Sequence, residues 1–130
     1  MINILTRLPI VDNSGAIEAG CISILKANSR TGAYPGCLVT ISVKKNIFKK
    51  NIKKKSRIIT KGQVVKALIL TSVRGLKRVG NFSIRSESNN SILLNQYLLP
   101  YGTRIFGPVF REIRQKTNYR KVVSLARVTV

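Results

Sequence analysis

The stretch Val39-Thr-Ile-Ser-Val43 alternates apolar and polar side chains with a period of two residues. That period is typical of a β-strand with one buried and one solvated face. A second stretch, Val64-Val-Lys-Ala-Leu-Ile-Leu-Thr71, is more fully apolar and rich in β-branched residues, as expected of a central strand. Three more strands are predicted at Cys21–Leu25, Ser91–Asn95 and Leu5–Val11. Pro9 places the last of these at an edge of the sheet, because proline cannot donate a ladder hydrogen bond.

Turn residues separate these strands. They are Asp12-Asn-Ser-Gly15, Gly32 to Gly36 with Pro35, Gly62, Gly75 and Gly80-Asn81. Several short strands divided by turns predict a small, mainly β barrel.

The last third of the chain has a different pattern. Gly102-Thr-Arg-Ile-Phe-Gly-Pro108 predicts a loop bounded by glycines, and Pro108 suits the first turn of a helix. Apolar residues within Val109–Arg114 then follow helical spacing, and Asn118 predicts the cap of a second short helical turn through Val122–Ala126. We therefore expect one domain over residues 1–130: a barrel over 1–100 with a basic loop at 44–61, then a loop and short helices over 101–130.

The charge of the chain is strongly unbalanced. It has 24 Lys and Arg against four acids, a formal net charge of +20 on 130 residues. Hydrophobic residues make up 44% of the chain, which predicts a folded protein and not a basic tail. Such a charge opposes the compact state by self-repulsion, so a polyanion is the expected partner. No apolar run is long enough to cross a bilayer, and the N-terminus has neither a secretory signal nor an organelle presequence pattern.

The basic residues cluster in two segments. The first runs from Lys44 to Lys61 without an acid and is interleaved with apolar residues such as Phe48 and Ile52. A charge run is often only a solvated face or a flexible tail, but apolar anchors every few residues favour a loop of fixed shape that presents ammonium groups to phosphates. The second segment surrounds the Gly75–Gly80 turn. The residues predicted to bind RNA phosphates are Lys44, Lys45, Lys49, Lys50, Lys53, Lys54, Lys55, Arg57, Arg74, Lys77, Arg78 and Arg85.

Catalysis and metal binding are poorly supported by the sequence. The chain has no His, and Asp12 beside Ser14 indicates a turn whose side chains cap backbone amides. Cys21 and Cys37 lie in apolar segments and are expected to be buried thiols, and without a CxxC pair no zinc site is expected. We predict no enzyme activity, no catalytic residue, no metal, no cofactor and no small-molecule substrate.

Two other classes of protein compete with this interpretation. A free-standing RNA-binding protein or RNA chaperone of the OB type needs exposed aromatic platforms, and aromatic residues make up only 6% of the chain. A membrane-surface protein needs a basic amphipathic helix, and the candidate at Val109–Arg114 is too short. The aromatic motifs of an RNA-recognition module and the GXXG clamp of a KH domain are absent, which favours recognition of RNA shape through its backbone.

Several strings resemble one known family. They are Val11-Asp-Asn-Ser-Gly-Ala16, Lys61-Gly-Gln-Val-Val-Lys-Ala67, Ile84-Arg85, Gly102-Thr-Arg-Ile-Phe-Gly-Pro-Val109 with Arg111-Glu112, and Val123-Ser-Leu-Ala126. In this order, over nearly the whole chain, they resemble the bacterial-type large-subunit ribosomal protein fourteen family. The string from Gly102 is highly specific, whereas Asp-Asn-Ser-Gly-Ala alone is a weak signal.

The resemblance implies a five-stranded β-barrel with a short C-terminal helical appendage, bound to large-subunit rRNA as a structural constituent of the large ribosomal subunit. The residues predicted above to bind RNA phosphates are then the predicted rRNA-binding residues. It also implies a bridge to small-subunit rRNA, contact with neighbouring ribosomal proteins, notably protein nineteen, and docking of a ribosome-silencing factor. The region implied in these contacts runs from Arg104 to about Lys121, and the predicted contact residues are Arg104, Phe106, Arg111 and Arg114.

The chain departs from the family pattern at three places. Gln63 replaces an Asp, Ser86-Glu87 replaces Phe-Asp, and Ala126-Arg-Val-Thr-Val130 replaces Ala-Pro-Glu-Val-Leu. The sequence is also rich in Ile, Asn and Lys, which A/T-rich codons encode. Together with the missing presequence, these features predict an organelle-encoded protein of the mitochondrial matrix, within the mitochondrial ribosome. The alternatives are the plastid stroma and a bacterial cytoplasm.

Overall fold

The computed structural model describes residues 2–25, 32–47, 59–115 and 119–130. Within those ranges the chain forms nine strands, one 3₁₀ helix at Arg111–Gln115 and one α-helix, α1, at Arg120–Leu125. The strands are β1 (Arg7–Pro9), β2 (Ala16–Leu25), β3 (Leu38–Asn46), β4 (Val64–Ile69), β5 (Leu76–Lys77), β6 (Ser83–Ile84), β7 (Ser91–Leu94), β8 (Ile105–Val109) and β9 (Ala126–Thr129).

Five of these strands form one curled antiparallel sheet in the order β1-β2-β3-β4-β7. The register pairs Leu8 with Ala19, Ile41 with Val65, and Ala67 with Leu93. The two outer strands approach each other where the Val11 N–H donates to the Ser91 carbonyl oxygen at 3.0 Å. The sheet is thus a five-stranded half-barrel, and the predicted mainly β fold with a short C-terminal helix is confirmed. The predicted edge position of the strand containing Pro9 is also confirmed.

The sheet has apolar residues on both faces of its β4 and β7 strands. Alternate residues Ala67, Ile69 and Leu93 point into the core enclosed by the curled sheet. Their neighbours Leu68, Leu70, Ile92 and Leu94 point into a second core, which is covered by Ile105, Val109, Ile113, Tyr119 and Val122 of the C-terminal segment. All four residues of β7 are buried. This double burial explains why the predicted strand at 64–71 is almost fully apolar.

The C-terminal third differs from the sequence-based expectation. Residues Ile105–Val109 form β8, which pairs in parallel with β9, so the predicted loop through Pro108 and the helix start at Pro108 are wrong. Gly107 has φ of +96°, and the register shifts between Ile105 and Pro108. An irregularity of this kind is where a strand tolerates proline. Helical structure begins at Arg111 as a 3₁₀ turn.

The second predicted helical turn is confirmed, with α1 starting two residues before Val122. It ends before Ala126, where β9 begins. The predicted cap Asn118 lies outside the described residues. Cys21 and Cys37 are both buried with free thiols.

Candidate nucleic-acid interface

The segment predicted as a basic turn is a short hairpin. Leu76 and Lys77 of β5 pair with Ile84 and Ser83 of β6. The hairpin leaves the body at Gly75, whose φ is +79°. A Cβ there would lie 2.3 Å from the Ile84 carbonyl oxygen, so only glycine allows this close crossing. The hairpin exposes Arg74, Lys77 and Arg85, three of the predicted rRNA-binding residues.

Arg78 ties this hairpin to the C-terminal segment. Its Nε and Nη2 donate to the two carboxylate oxygens of Glu112, with Nη2 to Oε2 at 3.0 Å, and Nη2 also donates to the Val130 carbonyl oxygen at 2.7 Å. Hydrogen bonding from Arg78 lowers the pKa of Glu112 below its ordinary value. This guanidinium is therefore engaged within the chain and positions the hairpin, an assignment that the sequence did not suggest.

A surface recess joins residues that the sequence assigns to different partners. It has a volume of about 480 Å³ and is lined by Lys77, Arg78, Val79, Arg111, Glu112 and Gln115. Lys77 and Arg78 belong to the predicted rRNA-binding set, whereas Arg111 belongs to the set predicted to face another partner. Lys77 and Arg111 therefore lie on the same surface. Arg114 is exposed in the same 3₁₀ helix as Arg111.

Lys44 and Lys45, the predicted residues of the other basic segment that the structure describes, lie at the end of β3. Lys45 Nζ lies 3.0 Å from Glu18 Oε2, and Arg7 Nη1 lies 3.0 Å from Glu18 Oε1. Hydrogen bonds from Arg7 and Lys45 lower the pKa of Glu18. Lys44 is exposed, and its stem runs over Gly20, where a Cβ would lie 3.1 Å from Lys44 Cε. The remaining predicted residues of this segment lie outside the described ranges: Lys49, Lys50, Lys53, Lys54, Lys55 and Arg57.

The Asp12–Gly15 turn positions Arg104. Asn13 Oδ1 accepts hydrogen bonds from the backbone N–H groups of Thr103 at 2.7 Å and Arg104 at 3.2 Å. Gly102 is required beside it, since a Cβ there would lie 2.7 Å from Asn13 Oδ1. The Arg104 side chain is exposed, as is Phe106 in β8 at 55%. Two of the strings that resemble one family are thus in contact with each other.

Asp12 is the buried anchor of this turn. One carboxylate oxygen accepts from the Ser14 N–H at 2.9 Å and from the Ser14 hydroxyl, and the other accepts from the Leu93 N–H at 2.9 Å. Burial raises the pKa of Asp12, and these hydrogen bonds oppose the increase. The contacts confirm that Asp12 and Ser14 act as a turn, and they add a link to β7 that local sequence could not reveal.

Sequence reasoning missed a groove beside α1. It has a volume of about 590 Å³, and its lining includes Tyr97, Tyr101, Thr103, Lys121 and Leu125. Tyr97 is 81% exposed. The only local signal is an aromatic residue in the polar stretch Asn95-Gln-Tyr, which is ordinary for a loop.

Metal sites and membrane-spanning helices are two further features that would indicate a function. Among the residues that the structure describes, no group of three His, Cys, Asp or Glu side chains is placed to hold a metal ion. No helix within the described ranges is long and apolar enough to span a membrane.

Comparison with known proteins agrees with the resemblance noted in the sequence. The sequence model of the family described as ribosomal protein L14p/L23e matches residues 1–130. A protein of Acanthamoeba castellanii named large ribosomal subunit protein uL14m is 52% identical over 130 residues, covering all of both chains. A protein of the same name from Acanthamoeba polyphaga is 55% identical over 114 residues, covering 88% of this chain and 97% of the relative. Both relatives carry the names of ribosomal proteins and not of enzymes. The chain belongs to the ribosomal protein L14p/L23e family.

Proposed function

We propose that this chain is a structural constituent of the mitochondrial large ribosomal subunit and that it binds large-subunit rRNA through phosphate contacts. The observation that carries the proposal is the charge balance. With 24 cations and four acids, 20 positive charges have no acidic counterpart in the chain, whatever ion pairs form. The names of the two Acanthamoeba relatives support the ribosomal and mitochondrial parts of the proposal. The matrix is the compartment we propose.

The hairpin surface supports the mode of binding. Lys77 and Arg85 are exposed on the hairpin, and their neighbour Arg78 already has a carboxylate partner. Lysine and arginine neutralise RNA phosphates and release condensed counterions, so binding should weaken steeply with salt. The Lys44–Lys61 segment adds nine cations of the same kind without an acid. We propose that both segments bind large-subunit rRNA.

The C-terminal surface is proposed to face other partners. Arg104, Phe106, Arg111 and Arg114 are exposed on β8, the 3₁₀ helix and the loop before them. We propose that they contribute to an intersubunit bridge with small-subunit rRNA. Contacts with ribosomal protein nineteen and with a silencing factor belong to the same proposal. The groove containing Thr103 and Lys121 lies within this region.

Sedimentation tests the assignment directly. A native mitochondrial extract is run on a sucrose gradient in low Mg²⁺, and the chain is followed by mass spectrometry. We expect one copy per large subunit, retained at moderate salt. Recovery mainly at the top of the gradient would instead indicate a free-standing RNA-binding protein or RNA chaperone.

Charge reversal tests which cations bind rRNA. Replacing Lys53 and Lys54 by Glu should reduce incorporation into the large subunit. It should also lower the magnitude of the salt slope by roughly 0.7 to 0.9 for each phosphate that the variant no longer binds. The matched control reverses Lys66 and Arg127, two exposed cations outside both predicted rRNA-binding segments. Equal incorporation of the two double variants would show that total charge, and not the Lys44–Lys61 segment, drives assembly.

A further inference from the structure

The β5–β6 hairpin ends in an unusually exposed apolar tip. Val79 is 100% exposed and Phe82 is 74% exposed. Neither side chain contributes to the two described cores. Exposing a phenylalanine costs stability that burial would supply, so its position suggests a contact made outside the chain.

The tip holds the Phe82 ring in a defined place. The Arg78 N–H donates to the Phe82 carbonyl oxygen at 2.8 Å, which closes a tip of three residues. Gly80 and Asn81 have φ of +86° and +60°. The ring lies against Gly80, since a Cβ on that residue would be 3.3 Å from Phe82 Cδ2 and Cε2. Part of the ring thus rests on the backbone while most of it stays exposed to solvent.

The hairpin is also fixed to the body of the protein. Strands of two residues would be marginal alone. Here Arg78 binds Glu112 and the Val130 carbonyl oxygen, and the Ser72 carbonyl oxygen accepts from the N–H groups of Gly75 at 3.1 Å and Ser86 at 3.3 Å. Because the hairpin is already fixed in place, it loses little conformational entropy when a partner binds.

The positive charge around the tip indicates which class of partner it binds. Between Arg74 and Ser86 the chain has four cations and no acid, and one of these cations is paired with Glu112. Arg111 adds a further cation beside Lys77 and Val79. A flat aromatic ring within a group of cations matches an unpaired nucleotide, whose base stacks while its flanking phosphates meet Lys and Arg.

We infer that Phe82 stacks on an unpaired RNA base while Lys77 and Arg85 of the same hairpin bind the neighbouring phosphates. This inference rests on the proposed function and deepens it, because it adds a base contact to the backbone recognition that the sequence favours. Stacking tolerates any base, so an RNA of arbitrary sequence is a fair probe.

The experiment measures binding of the full-length protein to two RNA probes by fluorescence. One is a single strand of about 12 nucleotides with a central 2-aminopurine, and the other is a blunt duplex of the same length. Phe82→Ala should weaken single-strand binding about 5- to 100-fold and remove the stacking-induced change in 2-aminopurine emission. Duplex binding and both salt slopes should stay unchanged, because no charge is removed.

Matched variants separate stacking from general apolar contact. Phe82→Tyr should bind like the wild type, and Phe82→Leu should bind like Phe82→Ala. Val79→Ala, at the same tip, should leave single-strand binding unchanged.

Each contrary outcome has a distinct meaning. Wild-type protein that binds neither probe would overturn the proposed function itself. Salt-dependent RNA binding that Phe82→Ala or Phe82→Leu leaves intact would overturn only the stacking contact. If Phe82→Ala leaves RNA binding unchanged but releases the chain from the large subunit, the tip contacts protein and the inference is wrong.

Discussion

Strands β4 and β7 and the β5–β6 hairpin between them are neighbours along the chain, but the strands are largely buried and the hairpin is largely exposed. Every residue of β7 is buried, and alternate residues of β4 and β7 pack into two separate cores. The hairpin has two-residue strands, and its tip residues Val79 and Phe82 face solvent. Burial on both faces stabilises β4 and β7, whereas the hairpin is held to the rest of the protein by a few hydrogen bonds and the ion pair of Arg78 with Glu112. The comparison indicates that strands β4 and β7 hold the hairpin in position, so that the hairpin's exposed residues can serve binding instead of stability.

The largest expected effect comes from removing apolar volume from β7. Leu93→Ala creates a cavity in the enclosed core, and Ile92→Ala creates one in the second core. Each should lower the free energy of unfolding by about 2–5 kcal/mol. Urea denaturation of purified protein measures this, with Phe82→Ala as the exposed control expected to change stability little. A decrease confined to Leu93→Ala would show that the second core is not needed for the stability of the sheet.

Asp12 should give an intermediate effect, because it joins the Asp12–Gly15 turn to β7. Asp12→Ala removes the acceptor of the buried Leu93 N–H and should cost about 1–3 kcal/mol of unfolding free energy. Asp12→Asn keeps an acceptor and removes the charge, so it should be the milder of the two variants. Urea denaturation of both variants beside the wild type measures the difference. Equal destabilisation by the two would show that the charge, and not the acceptor, is what the fold requires.

The Asp12 variants also predict a pH dependence. Burial raises the pKa of Asp12 in the fold, so this group contributes most stability below its unfolded pKa and loses that contribution as the pH rises through the folded value. The wild type should therefore gain stability relative to Asp12→Asn as the pH falls from neutral. Urea denaturation of both proteins across that pH range measures the difference. A constant difference would mean that the carboxyl titrates alike in the folded and unfolded chains.

The smallest effect is expected at the hairpin's link to the body. Glu112→Gln weakens the pair with Arg78 and should raise amide hydrogen exchange in β5 and β6 about 2- to 5-fold, with global stability nearly unchanged. Arg78 lowers the pKa of Glu112, so the link is complete above the unfolded pKa and is lost as the pH falls through the folded value. The variant should lack this acid sensitivity. Glu87→Gln removes the same charge from an exposed side chain and serves as the control. If both variants raised exchange equally, overall charge and not this pair would govern the hairpin.

Sequence is informative where one local pattern decides the structure. The alternation in Val39–Val43 and the apolar run in Val64–Thr71 predict their strands correctly. Whether one face of a strand is buried or both determines the polarity of consecutive residues, so a local pattern is enough. The strand Ile105–Val109 escapes such reasoning because it contains Gly107 and Pro108 and pairs with residues about twenty positions later. Its pairing depends on a parallel partner, and no local period encodes that choice.

The candidate interface divides in the same way. The number and clustering of cations are readable from the sequence, and so is the basic turn at Gly75–Gly80. The partner of Arg78 is not readable, because Glu112 lies 34 residues away. The exposure of Phe82 could not be foreseen either, since an isolated aromatic beside a turn is buried in many proteins.

The Asp12–Gly15 turn also sets an order of events during synthesis. Asp12 and Asn13 leave the ribosome early, but their hydrogen-bond partners Leu93, Thr103 and Arg104 follow 81 to 91 residues later. Contacts of such long range form only after the intervening chain has been made and its loop-closure entropy has been overcome. The Asp12–Gly15 turn therefore cannot complete its long-range hydrogen bonds until most of the chain has been translated, and the Asp12 carboxylate stays hydrated until then.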